Sequence, residues 1–267
     1  MTHSKKSYNY LINSVVRALD ILEEIIERNG TVRIKDLSET FKLPKSTIHR
    51  FIATLEYKGY IEQIEDNHKY RLSLKLFELG GSVIHSLDLH SRSYPILEKL
   101  NLKVKETVHL VILDKGEAVF INKIVNNPSM LTYTYIGKRV HAHCIASGKV
   151  LLANLPLSEL EIIISDKGLP EYTNNTLTCP NVLKEQLEEI RKNDVGYCFE
   201  EYLPGIVGVA SPIRNHLGQV IAAVSISGFS ISFDNNSLSY FTEEVKKVAK
   251  EISNELGANI VNQMPKR

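Results

Sequence analysis

The sequence is poor in cysteine and has no long apolar segment. Its three cysteines, Cys144, Cys179 and Cys198, form no C-x-x-C pair, which argues against a disulfide framework or a cysteine-rich zinc site and favours a reducing cytoplasm. The longest largely apolar runs, such as Val108–Leu113 and Val220–Val224, are much shorter than the ~20 residues of a membrane-spanning helix. The N-terminal residues are polar, and no signal-peptide-like run follows them. We therefore expect a cytoplasmic protein with no membrane partner.

The composition predicts a globular protein with a substantial core. Of the 267 residues, 43% are hydrophobic and 24% are charged, which excludes a disordered or collagen-like chain and suits one or two domains. The net charge of +1 is uneven, because residues 1–75 carry an excess of basic side chains. The stretch Thr40–Leu55 contains Lys42, Lys45 and Arg50 but no acidic residue, as a phosphate-binding surface requires. The same charges also fit a helix face that contacts only solvent.

The N-terminal region has the pattern of three helices. The first is suited to capping by Asn13 or Ser14, and its apolar residues recur at helical spacing at Val15, Leu19, Leu22 and Ile26, with Val16, Ile21 and Ile25 beside them. A second helix is predicted over Ile34–Phe41. A third, with Pro44 in its first turn, runs to Lys58 and is ended by Gly59. Two short helices joined by a tight turn predict a helix-turn-helix, whose second helix reads DNA.

The start of the third helix and the hairpin after it carry the residues expected to contact DNA. Basic and hydroxyl side chains suit phosphates and base edges, and the candidates on the helix are Lys45, Ser46, Thr47, His49 and Arg50. Two predicted strands, Tyr60–Ile64 and Tyr70–Leu72, form a wing that adds His68 and Lys69. A helical core domain that binds nothing is the alternative, but the order of these elements favours DNA binding.

The rest of the chain has the pattern of an α+β domain that follows a linker helix. The linker residues Leu76, Leu79, Val83, Ile84 and Leu87 have helical spacing, and the intervening Gly80-Gly81 suggests a hinge. Further helices are predicted over about 94–104, 145–154, 157–165, 180–193 and 237–259, and strands over 108–113, 118–124, 131–136, 196–200, 206–213 and 219–227. Strands in adjacent hairpins with helices around them predict an antiparallel sheet covered by helices.

Several segments together resemble the IclR family of bacterial transcriptional regulators. They are Ser14–Leu22, Leu43–Leu55, the "A-x-G-K-x-L-L-A" segment within His143–Ala153, the "G-Y…E…P-G…A-x-P-V" segment within Gly196–Ile213, and the "A-A-x-S-x-S-G" segment Ala222–Gly228. The resemblance implies a winged helix-turn-helix over residues 11–73, a linker helix over 74–89, and a GAF-like effector-binding domain with an antiparallel sheet over 90–262.

Two serines on a predicted strand are candidates for binding a small ligand. Ser225 and Ser227 are two residues apart, so both hydroxyls face one side of the strand while Val224 and Ile226 face the core. These hydroxyls could bind a polar ligand or bond to neighbouring backbone. A helix that opens at residues 146–148 could offer its unpaired amides to an anion, and the candidates there are Ala146, Ser147 and Gly148.

The family resemblance implies that the effector is a small acid held by the two serines. It also implies that Glu200 and Gly208 lie at the pocket. Family members often have Asp at the position of Glu200 and sometimes Cys at that of Gly208. Because the carboxylate is longer here and the second side chain is missing, we expect a different or larger effector. Because Glu200 would repel an acid group, we expect it to bind hydroxyls at the far end of a hydroxylated acid, such as a sugar-derived keto acid. A neutral sugar or an aromatic acid is the alternative. Leu131, Tyr133 and Tyr135 could form an apolar wall of the pocket. The alternative is that they belong to a strand packed in the core or at an interface.

His141, His143 and Cys144 raise two alternatives to a regulator. The H-x-H-C segment supplies three potential zinc ligands, but no fourth occurs at motif spacing. Cys144 is also a candidate nucleophile with a histidine base, although adjacent side chains point apart. No phosphate-binding, dinucleotide-binding or nucleophile-elbow motif is present. We therefore predict no catalytic residues, no metal and no cofactor.

The sequence thus predicts a DNA-binding regulator, with repression favoured over activation, whose operator binding changes when a small organic acid binds. Its predicted partners are double-stranded operator DNA, the effector, and copies of itself in a homodimer or a dimer of dimers. A dimer is expected because one winged domain reads few base pairs, and the expected seam is the linker helix, through Leu76, Leu79 and Val83. The alternative from another class is a GAF-like sensor or enzyme whose winged helix contacts only proteins.

Overall fold

The computed structural model describes residues 11–28, 30–64, 68–79, 88–126 and 134–258. The chain divides into an N-terminal unit that ends at Ser86 and a C-terminal unit that begins at Leu87. Within the described residues, no helix is long and apolar enough to cross a membrane.

The N-terminal unit combines three helices with a small antiparallel sheet. Its helices are α1 (Asn13–Glu27), α2 (Ile34–Phe41) and α3 (Lys45–Tyr57), and its strands are β1 (Thr31–Val32), β2 (Ile61–Ile64) and β3 (Lys69–Leu72). The strand order is β1-β3-β2. The predicted bounds of α2 are confirmed, and the wing hairpin pairs Ile61 with Leu72. The two-residue strand β1 was not predicted.

Helix α1 uses a different face from the one that its strongest periodicity indicates. Its buried residues are Ile21 and Ile25, and partly buried Ala18 and Leu22 pack beside them. Ala18 lies three residues before Ile21 and four before Leu22, and Ile25 lies three after Leu22 and four after Ile21, so the four residues share one side of the helix. They join the same apolar cluster as residues of α2 and α3.

Two expectations for α1 are wrong. About half of each side chain is exposed at three positions that were expected in the core, which are Val15, Leu19 and Ile26. The predicted side-chain cap is absent, since Ile12 precedes the helix and makes no capping bond.

The turn between α2 and α3 is built by a left-handed lysine and a proline. Lys42 ends α2 at φ 51° and ψ 42°, and its N–H donates to the carbonyl of Ser38. The Ser38 hydroxyl donates to the carbonyl of Leu43 at 2.7 Å, which fixes the turn. Pro44 lies just before α3 rather than in its first turn, and α3 ends before Gly59, whose φ is +74°.

Residues 74–79 form a helical segment at the start of the predicted linker. Leu76 is half-buried and Leu79 is exposed. The expected hinge at Gly80-Gly81, and the linker residues Val83, Ile84 and Leu87, lie outside the described residues.

The C-terminal unit is a six-stranded antiparallel sheet with helices on both faces. The strands are β4 (Thr107–Asp114), β5 (Glu117–Ile124), β6 (Arg139–His141), β7 (Gly196–Phe199), β8 (Ile206–Arg214) and β9 (Val220–Phe229), in the order β6-β5-β4-β9-β8-β7. The helices are α4 (Asp88–Val104), α5 (Ala146–Ala153), α6 (Leu157–Lys167), α7 (Pro180–Asn193) and α8 (Asn235–Glu255). This arrangement confirms the predicted α+β class.

The alternation of side chains in β9 gives the sheet two different faces. Val224 and Ile226 belong to the core beneath α4 and α8, as predicted. Ala223 belongs to the second core, which α5 and α7 cover. Because strand residues alternate, Ser225 and Ser227 share the face of Ala223. The sheet therefore turns its serine pair towards the start of α5.

Three predicted elements of this unit need correction. The expected strand 131–136 is wrong where it can be seen, since residues 134–136 form no strand and residues 131–133 lie outside the described chain. The strand beside β5 is instead β6, whose Val140 pairs with Ala118. Helix α4 begins at Asp88, ahead of the predicted Tyr94. Helix α8 begins two residues early because the Asp234 carboxylate accepts the amide of Ser237 and caps it.

Candidate functional site

The first turns of α3 carry a polar, basic surface. Lys45, Ser46, His49 and Arg50 are exposed, whereas Thr47 is half-buried. The opposite side of the helix holds the buried residues Ile48, Ile52 and Leu55. This division leaves the predicted DNA-contacting side chains on the open face. Arg50 also borders a shallow groove with Val15 and Leu19 of α1.

A second basic surface joins the start of α2, the start of α3 and the wing. The groove between them is lined by Arg33, Ile34, Lys35, Lys45, Gln63, His68 and Tyr70. His68 has φ +53° and directly precedes the return strand of the wing, which begins at Lys69. Residues 65–67 of the wing turn lie outside the described chain. The sequence analysis missed Arg33 and Lys35, although their position at the start of a helix-turn-helix could have indicated them.

The C-terminal unit contains a cavity between its sheet and the start of α5. Its cavity volume is about 60 Å³, and it is lined by His109, Phe120, Thr134, Ile145, Ala146, Ser147, Cys198, Tyr202, Leu203, Ile206, Val207, Gly208, Ser225 and Ser227. Hydroxyls and one imidazole form a polar side, and the remaining wall is apolar or aromatic. The described lining has no carboxylate and no ammonium or guanidinium group. A bound anion would therefore be held by neutral donors.

Helix α5 begins at the cavity with its first-turn amides uncapped by any side chain. Ile145 precedes the helix and makes no side-chain capping bond. The first amides of a helix have no acceptor within it, so they carry partial positive charge. Ala146 and Ser147 line the cavity, as predicted from the sequence. The helix therefore directs the partial positive charge of its start towards the polar side of the cavity.

Gly148 does not line the cavity and has a packing role instead. A Cβ at this position would lie 2.2 Å from the carbonyl oxygen of Ala142. This close approach lets α5 pack against the short 3-10 helix Ala142–Cys144. Only glycine fits there, so the residue is explained without any ligand.

Glu200 is also absent from the described lining of the cavity, which corrects its predicted position. Its Oε2 accepts the backbone amide of Gly205 at 2.8 Å, and its backbone has φ +58°. Gly208, in contrast, does line the cavity. A Cβ built there would meet its nearest neighbour, the carbonyl oxygen of Ile226, at 3.5 Å. Position 208 thus has room for a side chain, and glycine leaves that space empty.

The sequence analysis overlooked His109, which interrupts the apolar run Val108–Leu113. Its side chain is buried, and its Nε2 lies 2.9 Å from the Thr134 hydroxyl. Its Nδ1 lies 3.5 Å from the Ser227 hydroxyl. Burial lowers the pKa of His109 to about 3, with a further contribution from the positive charge of Lys123. The imidazole is therefore neutral at physiological pH. A single polar residue in a buried strand was the available signal.

A buried ion pair connects α5 to the segment after β7, which lines part of the cavity. Lys149 is 0% exposed, and its Nζ donates to both carboxylate oxygens of Glu201, at 2.6 and 2.8 Å. It also donates to Gln186 Oε1 at 2.7 Å. Tyr202 and Leu203, which follow Glu201 directly, line the cavity. The pair thus links the helix start to these two lining residues.

The residues behind the enzyme alternatives have structural partners. Cys144 is buried, its thiol donates to the carbonyl of His141, and burial raises its pKa far above the ordinary value. Burial lowers the pKa of His143 to about 4, and its Nε2 contacts the carbonyl oxygen of Pro170 at 3.1 Å. A thiol with a raised pKa is a poor nucleophile. In the described part of the chain, no group of three or more His, Cys, Asp or Glu residues could hold a metal ion.

Of the residues predicted to form an apolar wall, only Tyr135 lies in the described part of the chain, and it does not belong to the cavity lining. Tyr135 is 51% exposed and does not line the cavity, whereas Leu131 and Tyr133 lie outside the described residues. Phe120 and Tyr202 supply the aromatic surface instead. Phe120 precedes the predicted strand 131–136 in the sequence, and Tyr202 follows it.

Comparison with known proteins matches both units of the chain. Residues 14–65 match the IclR helix-turn-helix domain, and residues 81–254 match the bacterial transcriptional regulator IclR C-terminal domain. The HTH-type transcriptional regulator XynR of Escherichia coli is 36% identical over 92% of this chain and 98% of its own. The transcriptional repressor IclR of Escherichia coli is 32% identical over 91% and 89%.

A solved structure supports the same assignment. The IclR homologue of Microbacterium hydrocarbonoxydans, complexed with 4-hydroxybenzoate, superposes with a TM-score of 0.78 at 26% identity, over 92% of this chain and 99% of the homologue. The helix-turn-helix domain binds DNA, and the C-terminal domain binds a small-molecule effector. The relatives are transcriptional regulators. This chain belongs to the IclR family of bacterial transcriptional regulators.

Proposed function

We propose that the protein is a repressor whose release from its operator is controlled by a small carboxylic acid. The observation that carries the proposal is the cavity, which combines a helix start and two serine hydroxyls in a chain with a helix-turn-helix. Repression is favoured over activation because a relative that aligns along most of this chain is named a repressor. As a DNA-binding regulator it would act in the cytoplasm, where bacterial DNA lies.

The DNA-contacting residues that we propose lie on α3, α2 and the wing. Arg50 and Lys45 are exposed cations near the start of α3, suited to guanine edges or phosphates. Ser46, Thr47 and His49 add hydrogen-bonding groups on the same helix. The wing contributes His68 and Lys69, and the groove beside them adds Arg33 and Lys35 as phosphate contacts.

The effector that fits best is a carboxylic acid with a compact apolar or aromatic body. The acid group would accept hydrogen bonds from Ser225, Ser227 and the first amides of α5, and the body would contact Phe120 and Tyr202. The homologue bound to 4-hydroxybenzoate has an acid of this kind. A hydroxylated acid was expected because of Glu200, whose carboxylate is engaged with Gly205. Hydroxylated acids and neutral sugars therefore become alternatives for the test.

We also propose that the protein works as a homodimer or a dimer of dimers. Paired half-sites give the base-pair coverage that one winged unit lacks. In the described part of the linker, Leu74 is 80% exposed, Phe77 75% and Leu79 47%. Large apolar side chains exposed together favour a protein contact. Light scattering at micromolar concentration gives the mass of a dimer or tetramer, and a monomer contradicts the proposal.

The test is a gel-shift titration on DNA from upstream of the protein's own gene, with and without 4-hydroxybenzoate. Arg50→Ala should weaken specific binding by about 1–3 kcal/mol if it contacts a base. Lys58→Ala is the matched control, because Lys58 is an exposed cation beyond the far end of α3.

The acid should lower operator affinity, whereas 4-hydroxybenzamide should not. Gluconate and glucose represent the alternative effectors. Acid-strengthened binding would contradict release of the operator by the acid, and no DNA binding by any form contradicts the proposed function.

A further inference from the structure

His109 is a polar residue with apolar neighbours on each side of it in strand β4. Its neighbours Val108, Leu110 and Val111 are fully buried. Its ring lines the cavity and meets Phe120 edge-on, with 4.9 Å between ring centres. Burying an imidazole is costly unless its nitrogens have hydrogen-bond partners. The partners of its two nitrogens therefore indicate what this residue does.

The two ring nitrogens are held very differently. Nε2 lies 2.9 Å from Thr134 Oγ1, a normal hydrogen-bond distance. Nδ1 lies 3.5 Å from Ser227 Oγ, which is long for a hydrogen bond. Among the described residues, no closer partner of Nδ1 is found. Nε2 is therefore held by a normal hydrogen bond, whereas Nδ1 is available to a ligand in the cavity beside Ser227.

Strand register places His109 in a row of polar groups on the cavity face. His109 pairs with Ser225 across β4 and β9, and Thr107 pairs with Ser227. Paired residues on neighbouring strands share a face. Thr107 is 1% exposed, and its hydroxyl is the buried side-chain oxygen that lacks a partner among the described residues. This part of the sheet therefore has unused hydrogen-bonding capacity in an apolar surrounding.

The charges around the ring favour an anion next to it. Lys123 lies opposite His109 across β4 and β5, and its Nζ donates to the carbonyl of Thr134. The same positive charge contributes to the lowered pKa of His109, which keeps the imidazole neutral. A neutral imidazole has one donor and one acceptor nitrogen. When the Thr134 hydroxyl donates to Nε2, the proton resides on Nδ1, which becomes a donor towards the cavity.

On the basis of the proposed effector site, we propose that His109 is an effector-binding residue whose Nδ1–H donates to the effector carboxylate beside Ser225 and Ser227. Thr134 acts as a positioning residue, because its hydroxyl holds Nε2 and, by donating to it, leaves the ring proton on Nδ1. The site would then recognise a carboxylate through neutral donors, with Lys123 supplying a favourable field behind them. Strand β4, which the sequence shows only as a largely apolar run, would contribute directly to ligand choice.

The first experiment requires no effector. Long-range 1H–15N NMR spectra of the full-length protein with 15N-labelled histidine report which ring nitrogen carries the proton. The expected result is a neutral His109 with the proton on Nδ1. Thr134→Val should reduce the population of that tautomer, because the hydroxyl that donates to Nε2 is replaced by a methyl group. A proton on Nε2 in the wild-type protein overturns the proposal.

The second experiment is calorimetric titration with 4-hydroxybenzoate. His109→Phe keeps a ring of similar shape but removes both nitrogens, and it should weaken binding at least tenfold, as expected for the loss of a hydrogen bond to a charged group. Thr134→Val should weaken it less. Ser211→Ala is the matched control, since Ser211 is a buried serine of the same sheet outside the described cavity lining. Each variant is first checked for a cooperative thermal transition.

Unchanged affinity in folded His109→Phe also overturns the proposal. If the wild-type protein does not bind 4-hydroxybenzoate, the effector class under the proposed function is what fails. In that case the NMR experiment by itself tests the role of His109. A proton on Nδ1 supports the proposed role, and a proton on Nε2 contradicts it.

Discussion

At the scale of single residues, the buried polar side chains described in the C-terminal unit are paired except for Thr107, which lies on the cavity face of the sheet. Away from the cavity, the Ser211 hydroxyl donates to Asp194 O, and that of Ser253 donates to Ala249 O. On the cavity face, Thr107 has no partner among the described residues, and Ser227 is 3.5 Å from His109. A buried hydroxyl without a partner reduces stability, so Thr107 and the long Ser227 contact beside it favour a ligand that supplies hydrogen bonds there.

His109 makes the unfolding free energy depend on pH in a calculable way. Its folded pKa of about 3 lies below the ordinary 6.5, so between these values the unfolded state binds more protons than the folded state. Its contribution is complete above pH 6.5 and is lost as the pH falls towards 3. At pH 5 the loss is about 2 kcal/mol. The stability of His109→Gln should therefore improve relative to wild type by about that amount between pH 7.5 and pH 5.

Urea denaturation at a series of pH values measures this difference. His49→Gln is the control, because His49 is an exposed histidine on α3. Its stability relative to wild type should stay constant over the same range. A constant difference for His109→Gln as well would show that His109 is not buried as a neutral ring.

The adjacent carboxylates Glu200 and Glu201 show what a sequence cannot fix at this scale. In a regular strand, the direction of one side chain determines that of the next. Strand β7 ends at Phe199, and Glu200 then adopts φ +58°, so the alternation stops. Glu201 consequently turns inward to Lys149 while Glu200 caps Gly205. The pair Ser225 and Ser227 was predictable because β9 remains extended through both residues.

At the scale of elements, helices with local start and stop signals were predictable. Pro180 begins α7 and Gly59 follows α3, as the sequence indicated. Elements defined by distant partners were not. Strand β1 has only two residues and exists through pairing with β3. Helix α1 has apolar residues on two faces, and its packing against other elements, rather than its periodicity, decides which face is buried.

The ion pair between α5 and the segment after β7 should dominate the stability of that contact. Lys149→Met leaves Glu201 buried without its cation, and we expect a loss of about 3–5 kcal/mol in unfolding free energy. Adding Glu201→Leu removes the unpaired charge and should restore much of that loss. Gln186, which also loses its ammonium partner, accounts for part of the remainder. Urea denaturation of the two single variants and the double variant measures the coupling.

An exposed ion pair provides the matched control for this cycle. Lys184 and Glu161 are 2.9 Å apart, with side chains 32% and 56% exposed. Lys184→Met should cost less than about 1 kcal/mol, since water screens such pairs. Equal losses at the two sites would contradict the idea that burial makes the Lys149 pair important.

At the scale of the whole molecule, regulation requires a coupling free energy between DNA binding by one unit and effector binding by the other. If the effector changes operator affinity by some factor, operator DNA must change effector affinity by the same factor. This reciprocity holds whatever path carries the coupling. It distinguishes a regulator from a sensor whose winged helix contacts only proteins, because in the second case DNA would not alter effector affinity.

The double variant Ser225→Ala/Ser227→Ala should separate the two activities. Both hydroxyls face the cavity, so their loss removes donors to the acid group and should weaken binding of the acid at least tenfold. Neither residue belongs to the N-terminal unit, so operator affinity without effector should stay within about twofold of wild type, while the acid no longer changes it. Gel-shift titrations with the acid that raises the wild-type melting temperature, and with Ser211→Ala as the control, measure both effects. A double variant that still responds at the wild-type acid concentration would place the effector elsewhere in the protein.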